Sequence, residues 1–207
     1  MNALVLVDLQ NDLLPGGALA MPGGDAVIPL ANHLQSAFKL VVATQDWHPA
    51  NHKSFAANHP GRHPGEIVVL KKQPQVLWPT HCVQNTRGAQ FAPGLALTRL
   101  NKVFRKGADA EIDGSSGFFD NGHTHATGLG DYLKEKRVEA VYVMGLGTDY
   151  CVKFTALDAL GLGFKTFLIE DACRGVNLKP DDVTLAIAEM KKAGVKFLHS
   201  RELLESH

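Results

Sequence analysis

The stretch Ala140-Val-Tyr-Val-Met-Gly-Leu-Gly-Thr-Asp-Tyr-Cys151-Val-Lys-Phe-Thr-Ala-Leu-Asp-Ala-Leu160 decides the fold class. Ala140 to Met144 is an apolar run without polar alternation, the pattern of a strand covered on both faces. Gly145 and Gly147 mark a turn, and Tyr150 to Leu160 continues with helical spacing. Thr148 and Asp149 are good N-cap residue types, which puts Cys151 in the first helical turn. Strand, glycine turn and helix are the opening of a βαβ unit, and the rest of the chain repeats the pattern. Further strands are expected at Ala3 to Val7, Leu40 to Thr44, Val103 to Phe104, Thr166 to Ile169 and Lys196 to Leu198. Helices are expected at Ala26 to Phe38, Gly128 to Lys136 and Asp181 to Ala193, the last bounded by Pro180 and Gly194. The expected fold is α/β with right-handed crossovers.

A chain of 207 residues, 45% hydrophobic and 20% charged, has the composition of a globular protein, not of a disordered or fibrous one. Lysine and arginine total 21 against 21 acidic residues, so no basic surface points to nucleic acid or a membrane as the main partner. The three cysteines Cys82, Cys151 and Cys173 are odd in number and far apart, which speaks against a disulfide framework and for a reducing compartment. The first apolar run is stopped at once by Asp8, with no basic segment before it, so neither a leader nor a membrane span is expected, and the location expected is cytoplasmic. Length favours one domain over residues 1–207. A long excursion at about 49–93 carries six prolines. Trp47, Phe55, Trp78 and Phe91 in or beside it predict an ordered, functional segment.

In an open parallel sheet, ligands bind beyond the carboxyl ends of the strands. Asp8, Lys106 and Cys151 all follow expected strands. A carboxylate, an amine and a thiol at one crevice point to nucleophilic catalysis. A free thiol is only about 3% thiolate at pH 7, so a catalytic cysteine needs help from the helix dipole, an ammonium or a base. Free N–H groups at the helix start, with that of Gly147, would form an oxyanion hole. A carboxylate is a weak base for a thiol, the gap being worth roughly 6 kcal/mol, so burial of Asp8 and proximity of Lys106 are both required. Taken singly, each residue has a plain structural explanation, as a small buried cysteine, a turn cap and a solvated lysine. The inference needs all three together.

The segment Gln45-Asp46-Trp47-His48-Pro49 offers a second chemistry. Pro49 biases His48 to extended backbone, where residues two apart point the same way. Asp46 and His48 can therefore face one cation, with His81 as a third ligand and His52 a possible fourth. Three protein ligands with open positions describe a catalytic site, and the donor set suits zinc, iron(II) or manganese. His59 and His63 are read as solvated loop residues.

Val7-Asp-Leu-Gln-Asn-Asp12, Asp46-Trp-His-Pro49, Trp78-Pro-Thr-His-Cys-Val-Gln-Asn-Thr86, Lys106-Gly-Ala-Asp109 and Gly145-Leu-Gly-Thr-Asp-Tyr-Cys-Val152 together resemble nicotinamidases of the isochorismatase-like cysteine hydrolase family, in matching order over nearly the whole chain. The resemblance implies a three-layer, doubly wound, six-stranded parallel sheet with helices on both faces. It also implies hydrolysis of nicotinamide, and close analogues such as pyrazinamide, to the acid and ammonia, a step of NAD salvage. Cys151 would attack the amide carbon, Asp8 would carry the proton, and Lys106 would stabilise developing charge. A divalent metal on Asp46, His48 and His81, zinc before iron or manganese, would bind the pyridine nitrogen. In similar enzymes a cis peptide falls at the position of Leu146–Gly147. Two residues depart from the pattern: Gly147 where the family often has Ala, and Leu13 where many members have Phe opposite the tryptophan matched by Trp78. Leu13, Trp78 and Gly147 are the expected substrate contacts, and replacing a ring by Leu13 removes stacking worth roughly 0.5 to 1.5 kcal/mol. The expected partner is the small-molecule substrate, with a homo-oligomer possible. Alternatives are a relative acting on carbamoyl or ureido substrates, and a binding protein that has lost the chemistry.

Overall fold

The computed structural model describes residues 1–205. Its main sheet has six parallel strands, β1 (Asn2–Val7), β2 (Leu40–Asp46), β5 (Lys102–Lys106), β6 (Ala140–Leu146), β7 (Lys165–Arg174) and β8 (Lys196–Leu198), in the order β5-β2-β1-β6-β7-β8. Order reverses between β1 and β6, so the chain winds one way from β1 and the other way from β6. Right-handed crossovers running in opposite directions put their helices on opposite faces. Accordingly α1 (Val27–Leu34) packs with α5 (Ser200–Leu204), while α3 (Cys151–Gly161) packs with α4 (Asp182–Ala193). The α2 helix (Leu129–Glu135) precedes β6. These are the three layers expected.

Apolar residues Ala3 to Val7 of β1 are wholly buried, as are nearly all of β2 and β6, which explains why these strands read as unbroken apolar runs. At the switch point β6 comes so close to β1 that a Cβ on Gly145 would lie 2.2 Å from the Val7 carbonyl oxygen; glycine is required there. Pairing Val7 with Gly145 and Asp46 with Lys106 aligns the strand ends that carry the polar residues.

Two elements differ from the sequence reading. The helix expected over Ala26 to Phe38 stops at Leu34 and tightens into a 3-10 turn at Gln35–Ala37. The excursion holds an antiparallel hairpin of β3 (Ile67–Leu70) and β4 (Gln73–Val76). It also folds back on itself: the His48 N–H donates to Cys82 O at 3.1 Å, the Gln84 N–H to His48 O at 2.8 Å, and the Trp78 N–H to Ser54 O at 2.8 Å. These bonds carry Trp78 and His81 back over the end of β2. Among the described residues no helix is long and apolar enough to cross a membrane.

Candidate active site

Asp8 is the first residue past β1 and takes the left-handed conformation, φ 51°, which aspartate tolerates better than most residues. Its Oδ1 accepts the Thr44 hydroxyl at 2.6 Å, and its Oδ2 lies 2.8 Å from Lys106 Nζ. That ionic contact is not aligned as a hydrogen bond, so Oδ2 keeps acceptor capacity. Lys106, the last residue of β5, is only 3% exposed. Its ammonium donates to Asp46 Oδ1, to the Gly114 carbonyl at 3.0 Å and toward Cys151 Sγ at 3.4 Å. Taken alone this lysine read as solvated; the alternation of β5, with Phe104 and Lys106 both turned inward, buries it. One acceptor atom from each of Asp8, Asp46 and Cys151 lies within 4.8 Å of the others. The strand-end triad therefore assembles.

Burial sets the protonation states. It lifts the Asp8 carboxyl above its ordinary range, against the pull of Lys106. Burial would depress Lys106, but the Asp46 and Asp8 carboxylates outweigh it and hold the ammonium firmly charged. For Asp46, Lys106 and then His48 and His81 overcome burial and drive the carboxyl well below the usual range. The Cys151 thiol corrects an expectation: burial pushes it up more than Lys106 pulls it down, with Asp8 and Asp46 adding to the rise. The resting sulfur keeps its proton. Burial makes Asp8 a stronger base than a free carboxylate, and Lys106 is the group beside the sulfur that favours the thiolate.

The helix start differs from expectation as well. Cys151 is the first residue of α3, but the N-cap position is Tyr150 and no side chain caps it. Asp149 instead accepts the N–H groups of Val176 at 2.9 Å and Asn177 at 2.7 Å, tying down the loop after β7. The Gly147 N–H donates to the Arg174 carbonyl at 2.8 Å, so it is occupied and is not the oxyanion donor expected. The Leu146–Gly147 peptide is trans, like every peptide among the described residues; the turn is made by Gly147 at φ 81° with its N–H held by Arg174. Among the described residues the Cys151 N–H has no backbone acceptor and is a free donor at the helix start.

Beside this triad, Asp46, His48 and His81 bring one ligand atom each within 4.8 Å. Asp46 bridges the two groups, Oδ1 on Lys106 and Oδ2 at 3.8 Å from His81 Nε2. The His81 Nδ1–H donates to the Pro79 carbonyl at 2.8 Å, leaving Nε2 as its lone-pair nitrogen. His48 Nε2 lies 3.2 Å from Asp113 Oδ1, and Nδ1 is buried with no partner. Two buried carboxyl groups, Asp8 and Asp46, face one buried ammonium, and a third, Asp113, faces His48. Surplus negative charge and an orphaned imidazole nitrogen both fit a divalent cation. His52 lies beside His48: its Nδ1 accepts the Ser54 N–H at 3.1 Å, its ring packs edge-on against His48, and its Nε2 is buried with no partner. His63 is exposed, as read, but His59 is half-buried with Nε2 donating to the Lys53 carbonyl at 2.7 Å.

A cleft of about 410 Å³, open mouth included, joins the two groups. Leu13 and Trp78 both line it, as expected, and Gly147 forms part of its floor. Leu19, Met21, Tyr150 and Val176 complete the apolar wall, and Tyr150 meets Trp78 edge-on with ring centroids 4.8 Å apart. The sequence reading missed these four and missed three anchors, two buried (Gln10 and Asp113) and one half-buried (Asp12). Gln10 clamps Asp46 through both backbone groups, donating to its carbonyl at 2.8 Å and accepting its N–H at 2.7 Å. Asp12 accepts the Cys82 N–H at 2.7 Å, which fixes the residue beside His81. Asp113 holds His48. Gln10 and Asp12 follow Asp8 at spacing two and four, a signal that was available; Asp113 had none.

Fold and site together define an α/β protein with a buried aspartate, lysine and cysteine gathered at the sheet's switch point. The chain matches the isochorismatase domain over residues 2–202, and it belongs to that family. It is 52% identical over 197 residues to a nicotinamidase of Escherichia coli (strain K12), across 93% of this chain and 92% of that protein. Among solved structures it is similar to an Acinetobacter baumanii nicotinamidase and pyrazinamidase, with TM-score 0.96 and 49% identity over 98% of each chain. It is also similar to a Pyrococcus horikoshii pyrazinamidase in complex with zinc, with TM-score 0.78 and 39% identity, covering 96% of this chain and 98% of that one.

Proposed function

We propose that this chain, acting as one domain, hydrolyses nicotinamide to nicotinate and ammonia, with Cys151 as nucleophile, Asp8 as proton carrier and Lys106 as the fixed positive charge. The observation that carries the reading is the contact set at Lys106 Nζ, 2.8 Å from Asp8 Oδ2 and 3.4 Å from Cys151 Sγ, in the cleft walled by Trp78. As the sulfur attacks the amide carbon, its proton passes to Asp8, and the carbonyl π pair moves onto oxygen, where the free Cys151 N–H is positioned to donate. Asp8 then gives the proton to the amide nitrogen, the C–N bond breaks, and ammonia leaves a thioester. Asp8 next takes a proton from water as its oxygen adds to the thioester. Cleavage of the C–S bond releases the acid, and Asp8 returns the proton to sulfur. Burial makes both Asp8 and Cys151 weaker acids than the free groups, which suits a proton shared between them.

Asp46, His48 and His81 would hold a divalent metal, for which zinc is our assignment. When bound it supplies a Lewis acid for a ring nitrogen. Leu13 and Trp78 hold the ring between an aliphatic and an aromatic face, and Gly147 leaves room beneath it. A carbamoyl or ureido substrate would leave the apolar walls without a ring to contact. The test is ammonia release by the zinc-supplemented protein, with nicotinamide and a carbamoylated amino acid compared side by side. Turnover of nicotinamide is expected; release only from the carbamoyl compound would refute the reading.

A further inference from the structure

Asp113 belongs neither to the strand-end triad nor to the Asp46, His48 and His81 group, yet it is 6% exposed and has three polar partners. Its Oδ1 lies 3.2 Å from His48 Nε2 and accepts its own neighbour Gly114's N–H at 2.8 Å. Its Oδ2 accepts the Gln75 Nε2–H at 3.1 Å, from β4 of the hairpin. We propose that Asp113 is a positioning residue for the metal centre: it accepts the His48 Nε2–H and so presents Nδ1 as the metal-binding nitrogen. The proposal rests on the metal-dependent reading above.

An ionised carboxylate only accepts, so the nitrogen facing it must carry the proton. Asp113 is set as an acceptor on both oxygens, with the Gly114 N–H on Oδ1 and the Gln75 amide N–H on Oδ2. That leaves the lone pair on Nδ1, which is buried without a partner. A lone pair sealed from water with no donor is costly, and coordination removes the cost. His81 follows the same logic with the opposite nitrogen, Nδ1 on Pro79 and Nε2 free. In both rings one nitrogen is tied to oxygen, the arrangement by which outer partners orient metal-bound histidines. The backbone makes room for it. A Cβ on Gly107 would lie 2.6 Å from His48 Nε2, and Gly107 sits at φ 67°, so the ring can be held against Asp113 only beside glycine. The same turn serves the other half of the site, since the Gly114 carbonyl accepts from Lys106.

His48, His52 and Asp113 also place one potential ligand atom each within 4.8 Å. Because His52 Nδ1 is occupied by the Ser54 N–H, that ring faces the group with its protonated nitrogen. The geometry favours Asp113 as an orienting group over Asp113 as a ligand.

Zinc affinity of the full chain, measured by competition with a chromophoric chelator, tests this in the wild type and in Asp113→Asn, Asp113→Ala and His52→Gln. Both Asp113 variants are expected to bind zinc about 10- to 100-fold more weakly, with the melting temperature followed in parallel. Long-range 15N correlation spectra of the zinc-loaded wild type should show His48 protonated at Nε2 and metal-bound at Nδ1. A lower melting temperature with unchanged zinc affinity would make Asp113 structural only and overturn the proposal. So would zinc on His48 Nε2, or an equal loss in His52→Gln, which would make Asp113 a ligand. A wild type that binds no zinc would remove the metal-dependent reading itself, and this proposal with it.

Discussion

Replacing Lys106 by methionine keeps most of the side chain's volume and removes its charge. In the native protein the ammonium sits 2.8 Å from Asp8 Oδ2, donates to Asp46 Oδ1 and the Gly114 carbonyl, and is 3% exposed. Without it two carboxylates within 4.8 Å of each other face a thiol and no cation. Removing one partner of a buried ion pair costs about 3–5 kcal/mol because the other charge is left uncompensated. For a domain of this size about 2–4 °C per kcal/mol applies, so the melting temperature of metal-free protein should fall by roughly 6–20 °C. Saturating zinc should return part of the loss, since a cation held by Asp46 replaces some of the missing charge; at 100 times the dissociation constant, binding adds about 2.7 kcal/mol. Urea titration with chelator and with excess zinc measures both quantities, and Lys106→Gln serves as a second variant. Turnover should fall at least about 100-fold, as when a preorganised charge donor is deleted. A destabilisation below about 1 kcal/mol without metal would refute the reasoning, because it would mean that Lys106 does not neutralise the buried carboxylates.

Other consequences are narrower. Cys151→Ala should abolish ammonia release and leave zinc content by atomic absorption unchanged; loss of both would mean that the cysteine is not the nucleophile. Asp8→Asn keeps the Thr44 contact but cannot take a proton, so kcat should drop about 10²- to 10⁴-fold with little change in KM. Alkylation by iodoacetamide at pH 8 should mark Cys151, which lines the open cleft, and spare Cys82 and Cys173, which are buried; nicotinamide should protect Cys151, as peptide mapping will tell. Burial raises Asp120, but hydrogen bonds from Thr124 and His125 lower it further, so its folded value lies below the unfolded one. Its stabilisation is therefore present above about pH 4 and lost as the pH falls through the folded value. The gap in melting temperature between wild type and Asp120→Ala should shrink from pH 7 to pH 3.

The fold was legible because the strands that matter are buried on both faces and read as plain apolar runs. Ala140 to Met144 with the glycine turn after it is enough to predict a βαβ unit, and Lys196 to Leu198 is a strand within the predicted bounds. Asp8, Asp46, Lys106 and Cys151 could be placed because strand ends converge by topology, whatever the side chains in between. What failed depended on how a particular hydrogen bond was spent. Asp149 looks like a cap but is taken by the loop after β7, and the Gly147 N–H looks free but belongs to Arg174. The weakened acidity of the Cys151 thiol reflects burial, which a linear pattern of Asp, Lys and Cys does not encode. The hairpin around Ile67 and Gln75 was hidden because its exposed residues carry no core-facing alternation. Asp113, in turn, meets His48 only through the tertiary fold.

Binding of pyridine-3-carbaldehyde labelled with 13C at the carbonyl tests the central claim most directly, because an aldehyde accepts the nucleophile but has no leaving group. The account predicts a tetrahedral carbon resonance in zinc-loaded wild-type protein, with the sulfur of Cys151 attached, and its disappearance in Cys151→Ala. A bound aldehyde that stays trigonal in the wild type, or a tetrahedral signal that persists in Cys151→Ala, would contradict it.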